Sequence, residues 1–347
     1  MNGNFEIMAL HNRINNRLLK EKLHGSQPDR ITLSFYKYFH IPNTLQFRND
    51  LYRQWMQLEV LGRTFIAEEG INAQISVPRK NVESFKTQLY TVPFLKEVRL
   101  NLAVDDNGKS FFKLKITLRK KIVADGLHDP TFDVTQCGRH LNAKEFNKLA
   151  DNPDTLIVDM RNHYESEVGR FINAICPDVD TFRQELQAVE DLMKEHRDKN
   201  LLMYCTGGIR CEKASAWMKH KGFEKVFQLE GGIINYSRQV KENGLENKFI
   251  GKNFVFDERM SERITHNVLS VCHQCGNSCD THVNCRNDGC HLLFIQCNTC
   301  AEKYEGCCST KCQEIIKLPD HVQKELRSGK AQGRMVFKKG RAAHIRG

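Results

Sequence analysis

The sequence predicts a mixed α/β chain of several domains: an α+β unit, then a doubly wound parallel α/β unit, then a small cysteine-rich module. Three observations carry that reading. Between residues 30 and 123, strand-like and helix-like stretches follow in the order strand, helix, strand, strand, helix, strand. Between residues 155 and 232 the strands become short, uninterrupted apolar runs separated by helices, as expected of a parallel sheet buried on both faces. Ten of the fourteen cysteines then crowd between Cys272 and Cys312. At 347 residues the chain exceeds one ordinary core, so two or three domains are expected.

In the first unit, "ITLSFYKYFHI" (31–41) is rich in β-branched and aromatic residues and reads as a strand. A helix follows from Thr44 to Val60, with Leu45, Leu51, Trp55 and Leu58 near helical spacing. "RTFIAEEGINAQISV" (63–77) reads as two strands interrupted at Glu68–Gly70. "NVESFKTQLY" (81–90) reads as a helix capped by Asn81. "VRLNLAV" and "FFKLKITLRKKIV" supply further strands, the last alternating Phe112, Leu114, Ile116 and Leu118 with basic neighbours. This order is the split βαβ, ferredoxin-like (acylphosphatase-like) arrangement. Lys113, Lys115 and Arg119 then share one sheet face, either as an RNA contact or as a solvated surface.

The second unit starts after the turn-prone "ADGLHDPTFD". "TLIVDMR" (155–161) and "NLLMYC" (200–205) read as buried strands, "DTFRQELQAVEDLMKEH" and "CEKASAWMKHKGF" as helices, and "KVFQLEGG" as a strand and turn. Alternating β and α at this spacing gives the doubly wound fold.

Apolar residues make up 40% of the chain and charged residues 27%, the balance of a globular protein in water. No run approaches the roughly 18 apolar residues that span a membrane. The N-terminus lacks a basic-then-apolar signal pattern, so a cytoplasmic protein with reduced cysteines is expected. The net charge of +10 is uneven: residues 1–130 hold 20 Lys and Arg against 13 Asp and Glu, residues 313–347 hold 9 against 3, and the middle 23 against 26. Basic flanks suit a polyanion, most simply nucleic acid, and also fit a solvated surface with a basic disordered tail.

The densest chemical signal is "YCTGGIRCEK" (204–213). Cys205 ends a buried strand just before a helix, where reactive groups gather in open α/β sheets. Gly207 and Gly208 allow a tight curl that aims successive N–H groups at one sulfur, and the helix adds its positive end. Both effects favour the thiolate. Thr206, Gly207, Gly208 and Ile209 separate Cys205 from Arg210, one residue fewer than in the loop of cysteine phosphatases. That smaller cradle suits one terminal sulfur better than a tetrahedral phosphate. Cys211, in the first helical turn, could resolve an oxidised Cys205 or could simply pack against the sheet.

The six-residue loop resembles that of the rhodanese family, whose cysteine carries a persulfide. "LIVDMRNHYESEVGRFINAICPD" (156–178) is similar to the same family's strand ending in Asp-x-Arg, matched by Asp159 and Arg161 as an orienting ion pair. Arg170 stands where histidine is usual and Asn173 where glycine is common, so no role of that histidine is carried over. "FIAEEGINAQISVP", "KITLRKKIVADGL", "CTGGIRCEKASAWM" and "CHQCGNSCDTHVNCRNDGCHLLFIQCNTCAEKYEGCC" occur in one order, and together resemble the rhodanese-related, oxygen-dependent tRNA uridine hydroxylase family over about residues 30–313.

The resemblance implies C5 hydroxylation of the wobble uridine at tRNA position 34, giving 5-hydroxyuridine. It implies Cys205 as the essential residue, by way of a persulfide, Thr206 to Arg210 as the active-site loop, molecular oxygen as co-substrate, and the tRNA anticodon arm as partner. No flavin or nicotinamide fingerprint is recognisable, so no organic cofactor is expected. The expected divisions are an N-terminal extension (1–29), the ferredoxin-like domain (30–128), a rhodanese domain (131–250), the cysteine-rich module (260–313) and a basic tail (314–347).

"CHQC" (272–275) and "CNTC" (297–300) are two C-x2-C pairs, so Cys272, Cys275, Cys297 and Cys300 are candidate ligands of one structural zinc. Cys285, Cys290, Cys308 and Cys312 could form a second site, with Cys279, Cys307, His273, His282 and His291 as competing ligands. Full thiolate coordination leaves no open position and argues against a catalytic metal. Two other functions compete with the hydroxylase. A plain sulfurtransferase acting on a small thiol or on tRNA would leave the basic first domain unexplained. A non-enzymatic RNA-binding adaptor would leave the Cys205 loop unexplained.

Overall fold

The structure, a computed structural model, describes residues 28–328 together with Leu19, Glu21, Leu23 and Gly25. Most of the N-terminal extension and residues 329–347 of the basic tail lie outside the described residues.

The first unit runs β1 (Arg30–Tyr38), a helix Thr44–Gln57, β2 (Leu61–Ala67), β3 (Gly70–Pro78), a helix Val82–Tyr90, β4 (Asn101–Leu102) and β5 (Leu114–Leu118). The sheet order is β4-β1-β3-β2-β5. The first four strands pair antiparallel in the ferredoxin-like order, and β5 adds a fifth strand parallel to β2. Period-two alternation divides the sheet. Leu33, Phe35, Ala73, Ile75 and Ile116 are buried under the helices with Trp55 and Phe85. Phe35 and Trp55 meet edge to face at 6.4 Å. The opposite face carries Ser34, Tyr36, Arg63, Asn72, Gln74 and Asn101. Lys115 lies on that polar face, and Lys113 and Arg119 flank the ends of β5.

Local signals resolve unevenly. Asn43 caps the first helix, accepting from Gln46 N at 2.9 Å. Asn81 makes no capping bond: its amide instead donates to Leu58 O at 3.0 Å, and a 3-10 turn over Arg79–Asn81 leads into the helix. At Gly70, φ is +144° and a Cβ would fall 2.1 Å from Lys37 O, so the interruption between β2 and β3 requires glycine. Of "VRLNLAV" only Asn101–Leu102 pairs, because the chain touches the edge of β1 for two residues.

The second unit comprises β6 (Arg139–Leu141), a helix Ala143–Ala150, β7 (Thr155–Asp159), a turn of helix His163–Ser166, β8 (Gly169–Phe171), a helix Phe182–Lys194, β9 (Asn200–Tyr204), a helix Ile209–His220, β10 (Val226–Leu229), a helix Gly232–Asn243 and β11 (Phe249–Phe254). The strands β6-β10-β9-β7 are all parallel. One sheet face buries Val158, Met203 and Ala214 with the helices at 182–194 and 209–220; the other buries Phe146, Leu202, Tyr204 and Tyr236 with those at 143–150 and 232–243. This is the doubly wound arrangement. β6, β8, β11 and the helices at 143–150 and 232–243 were not apparent from sequence pattern alone.

β11 pairs antiparallel with β8 and with β12 (Ser261–Arg263), joining the second unit to the cysteine-rich module. That module holds the hairpin β13 (His282–Asn284) and β14 (Leu293–Ile295) and helices Asn298–Lys303 and Thr310–Ile316. His273 Nε2 meets Glu167 of the second unit at 2.8 Å. Beyond it, where a basic tail was expected, a helix Asp320–Arg327 docks through Arg327 on Asp288 at 2.9 Å. Among the described residues, no helix is long and apolar enough to cross a membrane.

The first two units meet through a buried cation. Lys213, 1% exposed, bonds Glu69 at 2.8 Å and Asp125 at 2.5 Å. Lys213→Ala would leave Asp125 buried with Lys121 as its remaining cation. We expect a loss of about 3 kcal/mol in urea unfolding. A loss below about 1 kcal/mol would mean the triad does not hold the two units together.

Candidate active site

Chain geometry converts the loop into a cradle. Cys205 follows β9 and is buried, 1% exposed. Gly208 sits at φ +100°, and a Cβ there would lie 2.9 Å from the Tyr36 hydroxyl. This conformation lets Gly208 N donate to Cys205 Sγ at 3.1 Å. From behind, Ile233 N donates to Cys205 O at 3.0 Å and Ile234 N to Thr206 O at 3.2 Å. The cradle is therefore clamped by the start of the next helix.

Burial by itself pushes the Cys205 thiol up. Donation from the Cys211 thiol, the charge of Arg210 and the N–H groups of Cys211 and Gly208 outweigh it, bringing Cys205 down to about 6. Cys211 is buried in the same apolar cluster and held well above the ordinary thiol range, so it stays a protonated donor. Both sequence readings of Cys211 thus meet in one residue: it packs against the sheet and it touches Cys205. Because protonation removes the nucleophile, alkylation of Cys205 by iodoacetamide should rise with pH to a midpoint near 6 and be flat above about 7. Peptide mass spectrometry across pH 4.5–9 reads this, and a midpoint near 8.5 would contradict it.

Arg210 does not stand free in the loop. Its guanidinium forms a two-pronged pair with Glu165, at 2.6 and 2.9 Å, and reaches Thr206 Oγ1 at 3.4 Å. Glu165 lies forty-five residues away in the sequence and was not among the expected site residues. Beneath it, Asp159 and Arg161 form a fully buried pair at 2.7 Å, with Tyr204 donating to Asp159 and Arg161 to Gly169 O. The pair orients the strand end and does not enter the cavity. Asn173 adopts φ +62°, which explains why asparagine can stand where glycine is common. Nearby, Glu185 is buried with both carboxyl oxygens unpartnered among the described residues and is pushed up to about 10 by burial, so it is neutral at pH 7.

The polar face of the first unit roofs the cradle. Asn101 donates to Gly207 O at 3.3 Å while its own Oδ1 is buried without a partner among the described residues. Tyr38 donates to Ile209 O at 3.3 Å, and Tyr36 to Glu212 at 3.2 Å. Asn72 and Gln74 are half-buried, and neither amide has a hydrogen-bond partner among the described residues. Between roof and cradle lies a cavity of about 460 Å³ lined by Cys205, Thr206, Gly207, Ile209 and Arg210 below and Tyr36, Asn72 and Gln74 above. Its volume falls in the range of small-ligand sites. Unpaired amides facing a thiolate suit a planar ligand with both donors and acceptors on its edge.

In the third unit, Cys272, Cys275, Cys297 and Cys300 come together, and so do Cys285, Cys290, Cys308 and Cys312, each set with sulfurs within 4.8 Å of one another. Contacts of 3.6 Å between Cys275 and Cys297 and 3.8 Å between Cys290 and Cys308 match the edge of a tetrahedron of thiolates about 2.3 Å from a central zinc. All fourteen cysteines are free thiols. Cys279, Cys307, His273, His282 and His291 fall outside both sets.

Three family models match: a UPF0176 acylphosphatase-like domain over residues 30–122, a rhodanese-like domain over 142–239 and a rhodanase C-terminal region over 250–313. Curated proteins named tRNA uridine(34) hydroxylase are similar over nearly the whole chain. Those of Photorhabdus laumondii and Enterobacter sp. (strain 638) are each 56% identical over 96% of this chain, covering 95% and 96% of their own lengths. That of Pectobacterium atrosepticum is 56% identical over 96% of this chain and 94% of its own. Among solved structures, a rhodanese-related protein from Thermoplasma volcanium aligns over 32% of this chain and 97% of its own at 21% identity, with a TM-score of 0.25, too weak a likeness to carry weight.

Proposed function

The chain belongs to the tRNA uridine(34) hydroxylase family, and on that premise we propose that it is an oxygen-dependent oxidoreductase that hydroxylates the wobble uridine of tRNA at C5, giving 5-hydroxyuridine. One observation supports this above the others: the Cys205 thiolate forms the floor of a cavity whose roof presents the side-chain amides of Asn72 and Gln74, unpartnered among the described residues. Uracil offers two carbonyl acceptors and one N–H donor on its edge, which side-chain amides can meet. A wobble base is already unpaired, so bringing it to Cys205 costs less than extruding a base from a duplex. The anticodon arm is the proposed partner, approached by the basic first unit in the cytoplasm, and the loop is sized to hold the outer sulfur of a Cys205 persulfide. Molecular oxygen is the proposed source of the new hydroxyl.

The sulfurtransferase alternative needs only the cradle and leaves the amide-lined roof without a task. The adaptor alternative needs no thiolate. We also propose structural zinc in both four-cysteine sets, where thiolates alone fill the coordination sphere.

The deciding experiment is nucleoside mass spectrometry of tRNA from a deletion strain, with and without the gene restored, under heavy oxygen gas. Restored 5-hydroxyuridine carrying the heavy atom is the expected result. Oxygen from water, or a thiolated uridine in its place, would move the assignment to the alternatives.

A further inference from the structure

Cys137 belongs neither to the cysteine-rich module nor to the Cys205 cavity. It lies just before β6, and folding brings it to His140 of β6 and to Glu212 in the first turn of the helix at 209–220. The Cys137 thiol donates to Glu212 Oε1 at 3.5 Å, and His140 Nε2 meets Glu212 Oε2 at 2.9 Å. Beyond the two four-cysteine sets, this is the one group among the described residues in which three thiol, imidazole or carboxylate ligand atoms lie within 4.8 Å of one another.

Hydrogen bonding alone does not account for the arrangement. Gln228, whose amide donates to Gly138 O at 3.2 Å, also places its Nε2 3.1 Å from His140 Nε2. The amide asks that ring nitrogen to accept, whereas the Glu212 carboxylate asks it to donate. One nitrogen cannot do both, so one of the two contacts is left without a proton. A cation held between the ring nitrogen and the carboxylate takes the place of that missing proton.

The donors select the ion. A thiolate, an imidazole and a carboxylate together suit zinc and are poor partners for magnesium or calcium. Zinc about 2.3 Å from sulfur and about 2.0 Å from oxygen sets the two about 3.5 Å apart in a tetrahedron. That is the separation between Cys137 and Glu212. The His140–Glu212 contact is shorter than the matching edge of about 3.3 Å, and opens slightly on binding. Two anionic ligands balance the charge of the ion, and the Cys137 thiol proton leaves to solvent. Neighbouring cations are engaged elsewhere, Lys219 on Cys137 O at 3.2 Å and Arg99 on Glu230.

None of the three side chains lines the Cys205 cavity, although Glu212 Oε2 accepts from Tyr36 of its roof at 3.2 Å. We propose that Cys137, His140 and Glu212 form a third metal site, which takes zinc and pins the approach to β6 onto the first turn of the helix that carries Arg210. Three protein ligands leave the fourth position to water, and the His140 side chain is 39% exposed. The site therefore exchanges its ion more readily than four thiolates do. Purified protein keeps zinc in the cysteine-rich module and takes up a third ion reversibly.

Alkylation of the intact wild-type chain tests the site without any substitution. Cys176, also a half-buried free thiol, lies outside every ligand set and serves as the internal control. Added zinc should slow iodoacetamide labelling of Cys137 at pH 9 at least about 10-fold, because a metal-bound sulfur is not free to attack, and leave Cys176 unchanged. Peptide mass spectrometry reads both. Cobalt added to the zinc-replete protein should bind at about one equivalent with thiolate-to-metal absorption. Cys137→Ser should abolish that absorption, and His140→Gln should weaken binding at least about 10-fold. Cys137 labelling that zinc leaves unchanged, or cobalt absorption at full strength in Cys137→Ser, would overturn the site.

Discussion

Cys205→Ser should fold normally and lose at least about a thousandfold in 5-hydroxyuridine formation. The loop is tuned for a thiolate: burial opposes the charge, while the Cys211 thiol, Arg210 and two backbone N–H groups favour it strongly enough to bring Cys205 down to about 6. Serine's hydroxyl stays protonated in that same setting and cannot carry a sulfane sulfur. The substitution is nearly isosteric and keeps the Gly208 N–H in contact with an acceptor, so stability should hardly change. Activity of purified, folded variant on tRNA is the measurement. Cys211→Ser is the informative companion: its hydroxyl still donates to Cys205, so activity should fall far less. Equal losses in the two variants would place the chemistry on the pair and not on Cys205 alone.

The second large effect is on the cysteine-rich module. Stripping metal from the native chain should unfold residues 272–316 while the two larger units stay folded. Beyond the cysteines, the module's buried apolar side chains are Leu292, Leu293, Phe294 and Ile295 of one short strand and its approach, so little else holds it. Structural zinc supplies an apparent 10–16 kcal/mol in small zinc-dependent folds, more than such a core can replace. Hydrogen exchange before and after chelation should show protection lost from this segment and from β12. Elemental analysis of reduced protein should find two zinc ions per chain. Well under one would count against both sites, and one would leave the set of Cys285, Cys290, Cys308 and Cys312 without metal.

Local spacing made several features legible. Cys205, its glycines and Arg210 could be recognised because the loop and its flanking strand and helix lie within about twenty consecutive residues. Asp159 and Arg161, two residues apart, could be read as an ion pair for the same reason. The C-x2-C pairs were visible as knuckles, whereas Cys285, Cys290, Cys308 and Cys312 have irregular spacing and converge only when the hairpin and the helix at 310–316 pack together.

By itself, the sequence determined the alternation of strands and helices, the place of the Cys205–Arg210 loop between a strand and a helix, and the polar face of the first sheet, since each follows from periodicity or from neighbours along the chain. Only the tertiary structure decided what that polar face meets. The pleat states that Ser34, Tyr36, Asn72 and Gln74 share a side, but not that this side closes over Cys205. That placement depends on contacts more than a hundred residues apart: Glu69 on Lys213, Tyr36 on Glu212 and Asn101 on Gly207. Glu165 likewise became Arg210's partner only through folding. A charge or an amide has no periodic signature of its own, so its partner is set by domain docking, which no local pattern encodes.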